Sequence, residues 1–275
     1  MLAAYANQIL QGVLLGGLYA IFAMGLSLSV GVLRFVNIAH GDLIVALSYL
    51  LLTLTTQFGL PPLVAALIAV PLGFTAGYLL QRLLLQRVLG KNVLPVILVT
   101  FGLSIIIQNG LLATFGADTR RVSAGGFETA TLSLGNGVNI GALPLAIFVT
   151  AVVMIGLLDR MLYATRLGAR IRAVSDDVAT ADLVGLPSAR IYAVAMGIVG
   201  MTIAVSAGFM SIWTNFDPTS GPSRLITAFE AVVLGGLGSL WGTLAGGIVL
   251  GVSQSIGAQF DAAVTSPRCH AARSG

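Results

Sequence analysis

Long apolar runs separated by short polar stretches fill the chain: 9–32, 43–54, 63–80, 95–115, 143–158 and 191–213, then one stretch of about 35 residues from 225 onward. None alternates apolar with polar residues as the strands of a membrane barrel do, and most approach the ~20 residues that a helix needs to cross the hydrocarbon of a bilayer. The pattern predicts an all-α polytopic membrane bundle of about seven or eight segments, occupying residues 1–260 as a single transmembrane domain. The last stretch is too long for one untilted span and is interrupted by Gly235, Gly236 and Gly238. It divides into a short element over 225–234, a half-helix or re-entrant segment, and a helix over 239–256.

Small residues mark close helix approaches. Gly12 and Gly16 lie on the first run, and Gly238, Gly242 and Gly246 recur every four residues at the last. Charge sets the orientation. Arg82, Arg87 and Lys91 follow the third run, and Arg160, Arg166, Arg170, Arg172 and Arg190 crowd the polar segment 159–190, so both are expected inside. The turn-rich segments 116–141 and 215–224 then lie outside, although Arg120 and Arg121 run against that bias. The N-terminus starts outside on a retained first helix, since no basic region or cleavage site precedes the first run.

Composition agrees with a membrane protein. Hydrophobic residues make up 57% of the chain and charged residues only 9%, with a mean hydropathy of +0.98. The net charge of +4 comes from basic residues at the ends of apolar runs rather than from a patch with interleaved aromatics, so no nucleic-acid partner is expected. Cys269 is the single cysteine, and His40 and His270 are the only histidines, which leaves no disulfide framework, redox pair or metal site to predict. Lys91 is followed by Asn92 and has Leu85 where a phosphate loop needs glycine, and the spacing in GGLGSLWG is wrong for a dinucleotide loop. With no convergent acid, base or nucleophile, an enzyme is not expected, nor is a cofactor.

The remaining chemistry lies in polar groups. Within 159–190, residues 173–186 read as a short helix with Ser175 as cap, Asp176 and Asp177 at its positive end, and Gly185 and Pro187 stopping it. Val178, Ala181, Leu183, Val184 and Leu186 give that helix a face for docking, unless it is merely a solvated loop helix. At membrane depth, Thr100, Ser104 and Gln108 form one stripe, with Asn109 beside it, facing protein or a water-filled path. Asn37, His40 and Asp42 cluster at the start of the second helix, where Asn37 or Asp42 as a helix cap competes with a ligand role. Glu230 stands in an apolar segment and needs water or a partner; Arg224 reaches it only through bending.

Three stretches carry a resemblance: VNIAHGDL at 36–43, TFGLSIIIQNGLLATFGAD at 100–118, and GARIRAVSDDVATADLVGLP followed by EAVVLGGLGSLWGTLAGGIVLG. Together they resemble the permease subunits of ATP-binding cassette (ABC) importers for branched-chain amino acids, over residues 5–260 in order. The resemblance implies a multi-pass translocation subunit of the bacterial inner membrane. Its implied partners are a second related permease, two cytoplasmic ATPase subunits and a periplasmic solute-binding protein. It also implies that 173–186 is a coupling helix seated in an ATPase groove, matching the family pattern at Arg172, Ala173, Asp177, Ala181, Leu183 and Gly185, with Leu186 for the usual isoleucine. Asn37, His40, Thr100, Ser104, Gln108, Asn109 and Glu230 are the candidates for the translocation path.

Alternatives remain at this level. Related permeases carry urea, short amides or other amino acids, and an ion-coupled secondary transporter would use Glu230, Asp42 or His40 as proton carrier. Residues 261–275 depart from the family pattern, which continues through another apolar helix; a polar tail from a truncated or frame-shifted end is the expectation.

Overall fold

The computed structural model describes residues 2–89, 94–128, 130–133 and 139–264. Six helices among them are long and apolar enough to cross a membrane: Asn7–Leu33, Pro62–Val88, Leu94–Phe115, Ala142–Ala164, Ser188–Trp213 and Leu240–Ala258. In chain order the elements are α1 (Leu2–Leu28) with a π-helical turn (Ser29–Leu33), α2 (His40–Thr56), and α3 (Pro62–Leu79), which runs through a second π-helical stretch (Leu80–Leu85) into α4 (Gln86–Val88). There follow α5 (Leu94–Phe115), the hairpin strands β1 (Thr131–Ser133) and β2 (Asn139–Gly141), α6 (Ala142–Ala164), α7 (Arg166–Asp176), α8 (Val178–Leu183), α9 (Ser188–Trp213), α10 (Gly221–Gly235) and α11 (Leu240–Val264). The all-α bundle read from the hydropathy pattern is the fold that forms. The short hairpin, with Leu132 opposite Ile140, is confined to the polar connection between α5 and α6.

α1 and α9 form the centre and are buried along most of their length, whereas α3, α5, α6 and α11 expose most of their surface. Both central helices are rich in small residues, so backbones meet closely and hydroxyls bridge them: the Ser206 hydroxyl on α9 donates to the Ile21 carbonyl on α1 at 2.8 Å. Gly12 and Gly16 lie against the backbone of α11, where a Cβ would stand 2.7 Å from the Val252 Cα and 2.5 Å from the Ile248 Cα. Gly242 and Gly246 face α10 instead, at Gly235 and Ala231. Gly238 does not share their helix. It sits at φ 85° in the turn before α11, packed on Gly31, because only a left-handed glycine reverses the chain that tightly.

α2 and α10 are half-length elements. At 17 and 15 residues they rise roughly 25 and 22 Å, short of the ~30 Å hydrocarbon core. Both begin inside the bundle. His40 reaches the Phe22 carbonyl, well inside the first span, and Asp42 reaches Ser104, midway along α5. The two starts touch: a Cβ on Gly41 would collide with the Gly221 carbonyl, and one on Gly221 with the Asp42 carboxylate. From this junction α2 runs toward the end of the bundle where Tyr49 packs against Phe115 and Phe216, with ring centroids 4.6 and 5.1 Å apart. α10 runs the other way, to the turn at Gly238.

Two expectations are corrected. Residues 173–186 are not one helix: α7 ends at Asp176, and Asp177 is extended (φ −149°, ψ 105°), because its carboxylate accepts from the Ala179 and Thr180 N–H groups and starts α8 afresh. Ser175 therefore caps nothing, and its hydroxyl donates to the Gly31 carbonyl at 3.3 Å. The short element begins at Gly221 rather than 225, since Pro222 suits a first helical turn. Lys91 and residues 265–275 lie outside the described residues, and α11 continues to Val264.

Gly41→Val is expected to destabilise the bundle by about 1–3 kcal/mol by forcing the two helix starts apart. Gly102→Ala, where a Cβ would meet nothing within 4 Å, is the neutral control. Thermal denaturation of the purified protein checks this, and equal midpoints for the two variants would contradict it.

Candidate functional site

The densest polar arrangement at membrane depth is built around Asp42, which is 1% exposed. Its Oδ2 accepts from the Ser104 hydroxyl at 2.6 Å, its Oδ1 accepts from the Gln108 amide at 2.9 Å, and that amide also reaches the Ser104 oxygen at 3.1 Å. Thr100, one turn earlier on α5, accepts from the Ile38 N–H at 3.3 Å and donates to its own helix at Ile97. The stripe Thr100, Ser104 and Gln108 thus faces protein and fastens α5 to the start of α2. Asn109 points elsewhere: it is exposed, and its amide donates to the Ile105 carbonyl of its own helix at 2.8 Å.

Asp42 is not the cap of α2, nor is Asn37. Ala39 occupies the cap position without a side-chain bond, because the Asn37 side chain accepts from the Ala39 N–H within the preceding loop and Asp42 is spent on α5. Placed in the first turn of α2 and against Gly221, the carboxylate lies at the positive ends of two helices, each of which stabilises negative charge. His40 bonds the Phe22 carbonyl through Nε2 at 3.0 Å, so that nitrogen carries the proton. The His40 Nδ1 and Asn37 Nδ2 atoms are buried without a protein partner.

Glu230 lies apart from this junction, on an exposed face of α10 that also carries Ile226, Phe229 and Val233. It makes none of the ion pairs found among the described residues, which are Arg34–Asp176, Arg120–Asp118 and Arg121–Glu128. Arg224 does not pair with it. A carboxylate exposed on an apolar helix must face water or protein rather than lipid. By contrast, the groove of about 610 Å³ between α3 and α9 is lined by residues such as Leu63, Leu67 and Phe209, and its Thr55 and Ser211 hydroxyls are spent on their own helices. It offers no converging polar groups.

The charged segment is more rigid than its composition implied. Asp182 accepts from the Ser188 N–H at 3.1 Å and from the Ser188 hydroxyl at 3.0 Å, so α8 is fastened to the start of α9. Arg172 donates to the Leu162 carbonyl and lies 4.9 Å from the Tyr163 ring centroid, which ties α7 to the end of α6. Ala181 faces inward, whereas Ala173, Leu183 and Gly185 are exposed, the last at φ 82°. The Asp177 carboxyl is held below its usual value, chiefly by the Thr180 hydroxyl at 2.6 Å. Its cap is therefore present at neutral pH and is lost only as pH falls through that lowered value. Sequence reasoning missed the role of Asp182; its one signal was a carboxylate shortly before the apolar start of α9.

Comparisons with known proteins bear on this arrangement. The family model described as "Branched-chain amino acid transport system / permease component" matches residues 8–270. The chain is 32% identical to the high-affinity branched-chain amino acid transport system permease protein BraD of Pseudomonas aeruginosa, over 92% of this chain and 86% of that protein. It is 25% identical to the permease protein LivH of the corresponding high-affinity system of Escherichia coli, over 93% and 87% of the two chains. The fructose import permease protein FrcC of Rhizobium meliloti is 26% identical over 79% of this chain and 61% of its own length. No solved structure matches.

The Asp42–Ser104 contact is expected to be energetically coupled. In a double-mutant cycle with Asp42→Asn and Ser104→Ala, unfolding measurements should give a coupling of about 0.6–1.7 kcal/mol, the range for interhelical bonds in membranes. Strict additivity of the two substitutions would contradict the contact.

Proposed function

Because the chain belongs to the family of branched-chain amino acid transport system permease components, we propose that it is the translocation subunit of an ABC importer for branched-chain amino acids in a bacterial inner membrane. On this reading the chain performs no covalent chemistry. It supplies half of a gated path, a second related permease supplies the other half, two cytoplasmic ATPase subunits drive the gate, and a periplasmic solute-binding protein delivers the substrate.

The observation that carries the ATPase part is α8. Leu183 and Val184 are 87% and 71% exposed on a charged segment, so the segment presents apolar side chains to water where an interface would cover them. Asp177 starts this short helix and Gly185 ends it in a left-handed turn, which presents the two side chains at a fixed angle. Motion imposed on α8 passes to the central helix α9 through Asp182 and Ser188, and motion of α7 passes to the end of α1 through Ser175 and through Asp176, 3.6 Å from Arg34. These are contacts between rigid helices, the kind of element that a partner's nucleotide cycle can reorient.

The path is proposed along the exposed faces of α5 and α10, two helices that the Asp42 junction draws together. Asn109 and Glu230 are exposed there, in positions unfavourable against lipid. Thr100, Ser104 and Gln108 border the path from behind, by holding α5 in place, and Asn37 and His40 support the same junction.

Replacing both Leu183 and Val184 by Asp is expected to reduce co-purification of the ATPase subunits by about tenfold or more, as loss of a central interface anchor does. The amount of permease in the membrane should not change. Leucine uptake by the unsubstituted complex should collapse on ATP depletion and survive dissipation of the proton gradient. Uptake with the reverse dependence would overturn the proposal in favour of ion coupling.

A further inference from the structure

At the end of the bundle that carries the charged segment, the end of α1, the end of α6, α7 and the turn before α11 surround a cavity of about 190 Å³. Two membrane spans, Asn7–Leu33 and Ala142–Ala164, finish here, which puts the cavity at the level of the lipid headgroups. Two guanidiniums line it, Arg34 and Arg172, together with the hydroxyl-bearing Ser27, Tyr163 and Ser175 and one carboxylate, Asp176. Ser27 is fully buried, yet its hydroxyl has no protein partner. A buried hydroxyl in that state is unfavourable unless something in the cavity bonds to it. Arg34 is the one non-glycine residue with a left-handed backbone among those described, at φ 56°, a conformation that is strained for a residue with a Cβ and that recurs at ligand clamps. Its pair with Asp176 spans 3.6 Å between side chains that are 63% and 81% exposed, a contact too open to hold the guanidinium in place. Arg172 spends one N–H on the Leu162 carbonyl and stands over the Tyr163 ring, which positions its fork and leaves it further donors.

We propose that this cavity binds a phosphate oxyanion, supplied either by an anionic lipid of the cytoplasmic leaflet or by free phosphate. Two cations against one carboxylate leave a net positive charge, and the donors come from separate elements: Ser27 on α1, Arg34 just past its π-helical end, and Arg172 on α7. A carboxylate presents its acceptors in one plane. A phosphate presents them tetrahedrally, so it can take from both guanidiniums and from the hydroxyl at once. Basic pockets between membrane helices on the cytoplasmic side hold lipid headgroups by the same chemistry. Bound phosphate ties α7 to the end of α1 beside the existing bond from Ser175 to the Gly31 carbonyl, so occupancy stiffens the link between the charged segment and the central helix. The inference stands apart from which solute the subunit carries.

The test uses the full-length permease, purified and reconstituted in phosphatidylcholine nanodiscs. In one arm inorganic phosphate is titrated at constant ionic strength and the thermal midpoint is read. In the other, phosphatidylglycerol is mixed into the bilayer, and the lipid retained per permease after extraction into detergent is counted by native mass spectrometry. A saturable rise in midpoint assigns the site to the free ion; one retained phosphatidylglycerol without a response to inorganic phosphate assigns it to lipid. In the arm that responds, Arg34→Gln and Ser27→Ala are each expected to weaken binding about tenfold, the loss of one bond to a charged group. Ser27→Ala removes only an oxygen that the protein leaves unpartnered, so it decides the matter even where Arg34→Gln assembles poorly. No saturable response in either arm overturns the proposal, and so does a response that either variant retains at wild-type strength.

Discussion

A carboxylate buried at mid-membrane must be satisfied at both oxygens, and Asp42 meets that requirement only by drawing three helices together. Leaving one charged partner unsatisfied in hydrocarbon costs several kcal/mol by most measures, so Ser104 and Gln108 hold α5 in register and Gly221 lets the start of α10 approach. The positive ends of α2 and α10 both face this charge. Their dipoles would repel each other without it, and with it they share one counter-ion. The junction lets two half-length helices start inside the protein, with one carboxylate lying at the positive ends of both.

That constraint divides the subunit into parts of different stiffness. α1 and α9 are fixed by close packing and by hydroxyl bonds to backbone, whereas α5 is exposed on most of its surface and depends on the polar stripe for its position. A helix held by a few directional bonds can shift as a unit when those bonds change partners, and a helix held by continuous backbone packing cannot. The proposed path runs beside the less tightly held helices, and the proposed coupling contacts end on the rigid ones.

Much of the architecture was legible before the structure, for a simple reason. Apolar runs of sufficient length have one solution in a bilayer, so α1, α3, α5, α6, α9 and α11 were readable, as was the half-length character of the segment before Gly235. Contacts between elements were not. Asp42 reads as a first-turn residue, and its partners lie 62 and 66 positions away, a distance at which no local pattern operates. The stripe on α5 was visible from its four-residue spacing, but whether it met water or protein depended on what lay opposite. The charged segment was recognised by composition, yet its break at Asp177 was missed because a side-chain cap and a continuing helix use the same residues, and only the backbone geometry separates them. Ala181 looked like part of a docking face and points inward, since a six-residue helix has too few turns to reveal its buried side by periodicity.

The central claim is that α2 begins inside the membrane, opposite the middle of α5. A disulfide trap tests it directly: in a Cys269→Ser background, cysteines replacing Ile38 and Thr100 should cross-link on mild oxidation in native membranes, because the Ile38 N–H lies 3.3 Å from the Thr100 hydroxyl. A pair at Ile38 and Leu94 should not. Cross-linking of the second pair and not the first would place the start of α2 at the membrane surface, beside the start of α5, and would contradict the account.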